Sequence, residues 1–301
     1  MTSQSVALAP GSLRAWVIGT RPPTLTAAVA PVAVGSAVAI RDSVFDAGPA
    51  FAALFGALAL QVGANFANDL SDFRRGADTA DRIGPPRVTQ LGLLSERQVL
   101  GGMLVSFAAA AIAGLYLTYV GGWPIIGIGL ASILAAVTYT GGPWPFGYRG
   151  LGELFVFIFF GLVAVAGTYY VQAGEVTGAA LAAAIPVGLT VTAILVVNNV
   201  RDIDTDRAAR KFTLAVYLGR RLARYQYVLF MVAAYVSAAA LFLVGSFSGW
   251  TLLSWLSIPA AISPLIAVLT RVEGPPLNAA LRATARLHFI FAILLAIGLS
   301  Q

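Results

Sequence analysis

The stretch Pro49-Ala-Phe-Ala-Ala-Leu-Phe-Gly-Ala-Leu-Ala-Leu-Gln-Val-Gly-Ala-Asn65-Phe-Ala-Asn68-Asp69-Leu-Ser-Asp72 is a long apolar run closed by amides and carboxylates. About 20 mostly apolar residues is the length that crosses a bilayer as a helix. A second apolar run ends the same way, in Asn198-Asn199-Val-Arg201-Asp202-Ile-Asp204-Thr-Asp206. With Asp78 and Asp81, which follow the first run, these clusters hold seven of the thirteen carboxylates in the chain. Acid concentrated at a membrane edge is costly unless a positive charge neutralises it. A divalent metal would do so, and a metal held by carboxylates on such a protein suggests a phosphate-bearing substrate.

Composition sets the solvent. Of 301 residues, 58% are hydrophobic and 11% charged, against roughly 25% charged in soluble domains. The chain needs lipid around it. There is no cysteine, which excludes disulfides, thiol chemistry and thiolate-held metal. The first residues lack a basic segment followed by an apolar core, so we expect no cleaved signal peptide and a retained first helix. The net charge of +6 has no soluble basic domain to carry it, so we expect no nucleic-acid partner.

Nine apolar runs of spanning length are read, at roughly 15–40, 49–68, 98–119, 123–140, 152–172, 179–200, 222–245, 249–270 and 281–299. Pro31, Pro186, Pro259 and Pro264 fall inside runs and are expected to kink them. With the N-terminus in the cytoplasm, every connection on that side carries arginine, and Arg41 alone falls on the other side. This is the positive-inside pattern, and it puts both Asp clusters on the cytoplasmic face of the cell membrane. The motif-bearing runs are four helices apart, which suggests two four-helix repeats plus one helix. No linker rich in Gly, Ser or Pro divides the chain, so residues 1–301 are read as a single domain.

On a helix, Asn65, Asp69 and Asp72 are spaced i, i+4 and i+7, and Asn68 and Asp72 i, i+4, so all can share a face. Asn198, Asp202 and Asp206 repeat that geometry, with Asn199 beside them. Two stripes of hard oxygen ligands suit Mg²⁺, which binds a few carboxylates together with substrate phosphates. One such motif alone would read as acids paired with arginines on a solvated loop. Two, each led by Asn at a helix end on the same side, point to function. An EF-hand is excluded, because Arg207 stands where that loop needs Gly and Thr213 where it needs Glu. Arg82 and Arg201 are candidates to hold phosphate bidentately, and Lys211, the sole lysine, to do so as a point charge.

A third segment runs from Tyr139-Thr-Gly-Gly-Pro through Tyr148-Arg149-Gly-Leu-Gly to Glu153. It is either a plain turn with interfacial aromatics or a lid whose Tyr139 and Tyr148 face a cationic centre. His288, the single histidine, is expected to pack or bond between helices rather than to catalyse. No Walker A loop, dinucleotide fingerprint or HExxH is present.

The motifs Asn68-Asp69-x-x-Asp72-x5-Asp78 and Asp202-x3-Asp206 resemble the two Asp-rich motifs of the UbiA superfamily of intramembrane prenyltransferases. Arg21-Pro-Pro-Thr-Leu25, Arg82-Ile-Gly-Pro-Pro-Arg87, Tyr139-Thr-Gly-Gly-Pro, Gly150-x-Gly-Glu153 and the residues around Lys211 are similar to its MenA branch, most of all its actinobacterial members. The resemblance runs from about residue 15 to 220, and no motif Asp departs from it. It implies nine transmembrane helices around a central cavity, Mg²⁺, a polyprenyl diphosphate donor and 1,4-dihydroxy-2-naphthoate as acceptor, with loss of carbon dioxide and diphosphate to give demethylmenaquinone.

The residues and the resemblance together lead to a set of expected roles. Asn68, Asp69, Asp72, Asp78, Asn199, Asp202 and Asp206 hold the metal. Asn65, Lys211, Arg201, Arg82 and Tyr148 contact substrate. Arg21 meets the acceptor carboxylate, and Tyr139 steadies the allylic cation. Two rivals stand beside this reading: a superfamily member with another acceptor (homogentisate, haem or a lipid phosphate), and a cation-coupled transporter, which acids at the bilayer midplane would favour.

Overall fold

The computed structural model describes residues 9–77, 83–245 and 247–301, and among them every regular element is helical. Asp78 and Arg82, both candidate site residues, lie outside the described residues. Helix α1 (Leu13–Thr20) and α2 (Thr26–Arg41) are limbs of one apolar run, joined by a 3₁₀ turn at Pro22–Thr24 and bent by 48°. The cause of the bend is local. Two successive prolines supply no N–H, and Arg21 enters the left-handed region at φ 51°, a cost for a residue with a Cβ. Of the prolines expected to kink spans, Pro31, Pro186 and Pro264 sit inside continuous helices, and Pro259 lies in the first turn of its helix.

Next come α3 (Ala47–Arg74), α4 (Glu96–Gly121) and α5 (Pro124–Thr138). Ser95 caps α4 in a reciprocal box with Gln98, satisfying donors that the first turn leaves open. After a 3₁₀ turn at Phe146–Arg149, α6 (Gly152–Val156) passes through a π-helical stretch, Phe157–Val163, into α7 (Ala164–Ala173). Then follow α8 (Gly178–Ala208), α9 (Leu214–Leu243, broken at Gly219), a 3₁₀ stretch at Gly249–Ser257 continuing as α10 (Ile258–Thr270), and α11 (Gly274–Leu299).

Seven of these helical runs are long and apolar enough to cross a membrane, and the bent α1–α2 pair makes an eighth. Helix α5 has 15 residues, about 22 Å at 1.5 Å per residue, short of a roughly 30 Å hydrocarbon core. The two motif helices outrun the apolar segments read from sequence: α3 continues to Arg74 and α8 to Ala208. Both Asp motifs therefore ride on rigid helix, with side chains fixed in direction.

Helix α8 lies at the centre, packed on α2, α9, α11 and the π-helical stretch. Small residues allow this closeness. A Cβ on Gly161 would come within 2.7 Å of the Gly188 Cα, and one on Gly35 within 2.5 Å of the Val165 carbonyl. Between helices in lipid, close backbone approach of this kind supplies the van der Waals contact that drives association. Large apolar side chains such as Leu104, Ile112, Leu130 and Leu229 face outward instead. His288 is buried between α8 and α11, with Nδ1 2.8 Å from the Thr190 hydroxyl, the interhelical role expected of it. Helices α2, α3, α5, α8 and α11 and the α6–α7 run enclose a cavity of about 840 Å³.

Candidate active site at the head of the cavity

One face of α3 lines this cavity with Gln61, Asn65, Asn68 and Asp72. Their spacing of four, three and four residues is a single helical stripe. Asp69 follows Asn68 by one residue and therefore lies about 100° around the helix. Its Oδ2 accepts from the Val88 N–H and its Oδ1 from the Thr89 N–H, both at 3.1 Å. Arg21 Nη2 stands 3.6 Å from Oδ2. The spacing admits two stripes, Asn65/Asp69/Asp72 and Asn65/Asn68/Asp72; the fold turns the second to the cavity and uses Asp69 to hold the loop at residues 88–89.

Asp72 is 2% exposed, and its two oxygens face two partners. Arg87 Nη2 donates to Oδ2 at 2.7 Å, and the Tyr148 hydroxyl donates to Oδ1 at 2.9 Å. Burial, then the charge of Asp72 and the hydrogen bond to it, hold the Tyr148 phenol well above the ordinary tyrosine range, so this phenol stays a donor. The Lys211 ammonium lies 5.4 Å from the Tyr148 ring centroid, and the Phe212 N–H donates to the Tyr148 carbonyl. Tyr148 thus joins the first motif to the chain that follows the second. Asn68 Oδ1 accepts from the Thr140 hydroxyl at 3.0 Å. Arg75 ties the same turn down through the carbonyls of Thr140 and Gly142.

On α8, Asn198, Asn199 and Asp202 line the cavity. Arg201 is fully buried and lies bidentate on Asp202, through Nε at 2.7 Å and Nη2 at 2.6 Å. It also donates to Asn198 Oδ1 and Asn278 Oδ1. With four bonds to protein, Arg201 clamps the second motif to α11 rather than offering an open fork. Asn199 Nδ2 donates to Glu153 Oε1 at 2.9 Å, so its oxygen is the pole not spent on Glu153. Asp206 stands 3.6 Å from Lys211 Nζ through Oδ1, and its Oδ2 is buried without a hydrogen-bond partner.

The fit to a divalent cation rests on that orphaned oxygen. Asp206, Asp202 and Asp72 are all nearly inaccessible. Each is set against a cation, Lys211, Arg201 and Arg87, and the one buried carboxylate oxygen still unmet is a hard donor of the kind Mg²⁺ takes. Among the described residues no three His, Asp or Glu side chains are grouped so as to hold a metal ion by themselves.

Tyr139 lines the cavity and packs edge-on against Phe146 at 5.4 Å. Sequence reading did not single out Arg87, Thr140 or Asn278 as site residues, though Arg87 was one of the loop arginines weighed for phosphate. Asn278, near the start of the terminal helix, also donates from Nδ2 to the Ile83 carbonyl. Arg87 and Thr140 lay inside the motifs Arg82-Ile-Gly-Pro-Pro-Arg87 and Tyr139-Thr-Gly-Gly-Pro, but the sequence did not single them out from their neighbours there.

Comparison with known proteins follows the same lines. A model of the UbiA prenyltransferase family matches residues 28–295. A 1,4-dihydroxy-2-naphthoate octaprenyltransferase of Mycobacterium tuberculosis is 40% identical, the match covering 95% of this chain and 96% of that protein. One from Escherichia coli is 34% identical over 99% and 98%. Among solved structures, a UbiA homolog from Aeropyrum pernix superposes with a TM-score of 0.72 at 16% identity, covering 91% of this chain and 97% of that one. A UbiA homolog from Archaeoglobus fulgidus bound to DMAPP and Mg²⁺ does so with a TM-score of 0.64 at 14% identity, covering 94% and 99%.

Proposed function

Because this chain belongs to the UbiA prenyltransferase family, we propose that it transfers a polyprenyl group from polyprenyl diphosphate to 1,4-dihydroxy-2-naphthoate, releasing carbon dioxide and diphosphate and forming demethylmenaquinol, the reduced form of demethylmenaquinone. The observation that carries the reading is the convergence of two carboxylate-tipped helices on one cavity that is polar at its head and apolar below. A diphosphate needs the first and a polyprenyl chain the second. The protein is a multi-pass membrane protein. Nine spans, with α5 as the short one, and a single domain whose site opens to the cytoplasmic face of the cell membrane are the arrangement that the arginine distribution supports.

Mg²⁺ is the implied cofactor; bound, it supplies positive charge against the phosphate oxygens and so eases departure of diphosphate. Asp72, Asp202, Asp206 and the oxygen of Asn199 are the residues that would hold it. In this reading Asp69 and Arg201 position neighbouring elements. Lys211 sits where it offsets charge developing on the leaving group, an interaction stronger in the transition state than before it. The C1–O bond of the donor breaks, and the electron pair leaves with diphosphate. The carboxylate-bearing ring carbon of the naphthoate forms the new C–C bond, and the C–CO₂ bond then breaks, returning its electron pair to the ring. The apolar cavity walls keep water from the allylic cation, and the Tyr139 ring faces it.

The test is a diphosphate-release assay on detergent-purified protein with Mg²⁺ and a fixed donor, swapping acceptors. Release and product formation with the dihydroxynaphthoate, lost in Asp202→Ala, is the expected result. Undiminished turnover by Asp202→Ala sinks the site assignment, and turnover only with another aromatic acceptor sinks the substrate assignment.

A further inference from the structure

Below the carboxylates, the α3 stripe continues with Asn65 and Gln61, and a single hydroxyl fixes the direction of both amides. The Thr24 hydroxyl donates to the Arg21 carbonyl at 2.9 Å. Its one proton is thereby committed, and its lone pairs can only accept. They do so from Asn65 Nδ2 at 2.9 Å and Gln61 Nε2 at 3.1 Å. Asn65 Nδ2 spends its other proton on the Thr20 carbonyl at 2.9 Å, so flipping this amide would set oxygen against oxygen. Both carbonyl oxygens are left over. Gln61 Oε1 is buried without a partner, on a residue only 9% exposed that lines the cavity. Asn65 Oδ1 accepts no hydrogen bond from the described residues, and Asn65 lines the same cavity at 4% exposure.

We propose that the carbonyl oxygens of Asn65 and Gln61, oriented by Thr24 at the break between α1 and α2, form the subsite that receives a hydroxyl group of the aromatic acceptor. The proposal rests on the prenyl-transfer reading above and adds to it the group that selects the acceptor. A carbonyl repels diphosphate and carboxylate, and a polyprenyl chain has no donor to give it. A phenolic O–H is the donor that fits. Depth agrees: Asn65 lies seven residues from Asp72, about 10 Å along the helix, and Gln61 about 16 Å. The subsite is therefore below the diphosphate head, beside the start of the prenyl chain. The two residues are one turn apart, about 6 Å along the helix axis, the scale of one aromatic ring. A site with oriented, buried acceptors also rejects analogues that cannot donate, since the acceptors are then left unmet.

The experiment uses the full chain in detergent with 1,4-dihydroxy-2-naphthoate and its two mono-O-methyl ethers, measuring KM for acceptor and donor separately. Wild type should favour the free diol over at least one ether by tenfold or more. Gln61→Leu and Thr24→Val should raise the acceptor KM about tenfold, leave the donor KM within about twofold, and erase the preference for the diol. Thr24→Ser, which keeps the hydroxyl, should restore it. Retained donor KM and Mg²⁺-dependent donor binding show that each variant is folded, and Gln61→Met serves as a second, less disruptive apolar variant. Unchanged preference in folded Gln61→Leu, Gln61→Met and Thr24→Val overturns the subsite, as does a donor KM that rises in step with the acceptor KM. Wild-type protein that prenylates neither diol nor ether overturns the underlying functional reading instead, a result separate from any property of the variants.

Discussion

The Tyr148 hydroxyl donates to Asp72 Oδ1 across 2.9 Å, 76 residues apart in sequence. That bond joins a short Gly/Pro-rich turn to the first carboxylate motif, and the Lys211 ammonium over the same ring joins it to the second. Tyr148→Phe keeps the ring and removes the bond. Loss of a hydrogen bond to a charged group costs about 1.5–3 kcal/mol of stability, so the melting temperature should fall, and with Asp72 no longer held in place kcat/KM should fall about tenfold or more. Steady-state kinetics beside a melting curve would reveal it; a variant as active as wild type denies Tyr148 a part in the site.

The pH dependence has a sign. The Tyr148 phenol is held above its ordinary range, so its protonated, donating form persists as pH rises through the region where a free tyrosine ionises. Activity should therefore not fall near pH 10 through Tyr148. A basic limb there that disappears in Tyr148→Phe would contradict the arrangement, and pH–rate profiles of the two proteins decide it.

Asp69 and Asp206 should fail in different ways. Asp69→Asn sets an amide N–H against one of two backbone N–H groups, leaving a buried donor unmet at about 1–3 kcal/mol. It should lower the melting temperature and loosen the 88–89 loop. Asp206→Asn removes charge at an oxygen that has no protein partner. It should leave stability nearly unchanged or slightly raised, while Mn²⁺ affinity, followed by electron paramagnetic resonance, drops and turnover falls a hundredfold or more. Equal melting temperatures for the two variants would count against the division of labour.

Gly129 and Gly167 line the cavity, and a Cβ on either meets nothing within 4 Å. A large side chain there has room to enter the apolar part of the cavity. Gly129→Phe should slow transfer from a long polyprenyl diphosphate severalfold while sparing geranyl diphosphate. Identical loss with both donors would show that the chain does not lie along this wall.

Gly188 is a packing requirement. A Cβ would come within 2.8 Å of the Phe157 ring, in the π-helical stretch. Gly188→Ala should destabilise the protein by about 1–3 kcal/mol through forced separation of α8 from the α6–α7 run, read as a lower melting temperature with unchanged metal affinity.

Helicity, the membrane environment and the two Asp motifs could all be read from the chain before folding. Each depends on neighbours in sequence: twenty apolar residues in a row, or acids four residues apart. The broken first helix was harder to see, because Pro31, Pro186 and Pro264 are tolerated inside helices while Arg21-Pro22-Pro23 is not. The choice of stripe on α3 was also hidden. Residues 65, 68, 69 and 72 all fall within one broad arc of a helix, and only the position of the 88–89 loop decides that Asp69 turns away.

The sequence by itself determined what chemistry is available: hard oxygen ligands, a lone lysine, aromatic turns and a lipid-facing shell, in two repeats of one motif. Tertiary structure alone decided which of those groups face one another. Arg201 proved to be a clamp because Asn278, 77 residues on, reaches its guanidinium. Asn65 and Gln61 present carbonyls because a threonine from another helix break consumes their N–H groups. Helical periodicity assigns side chains to faces, but it is the partner across the interface that decides which pole of a polar group is left for a substrate.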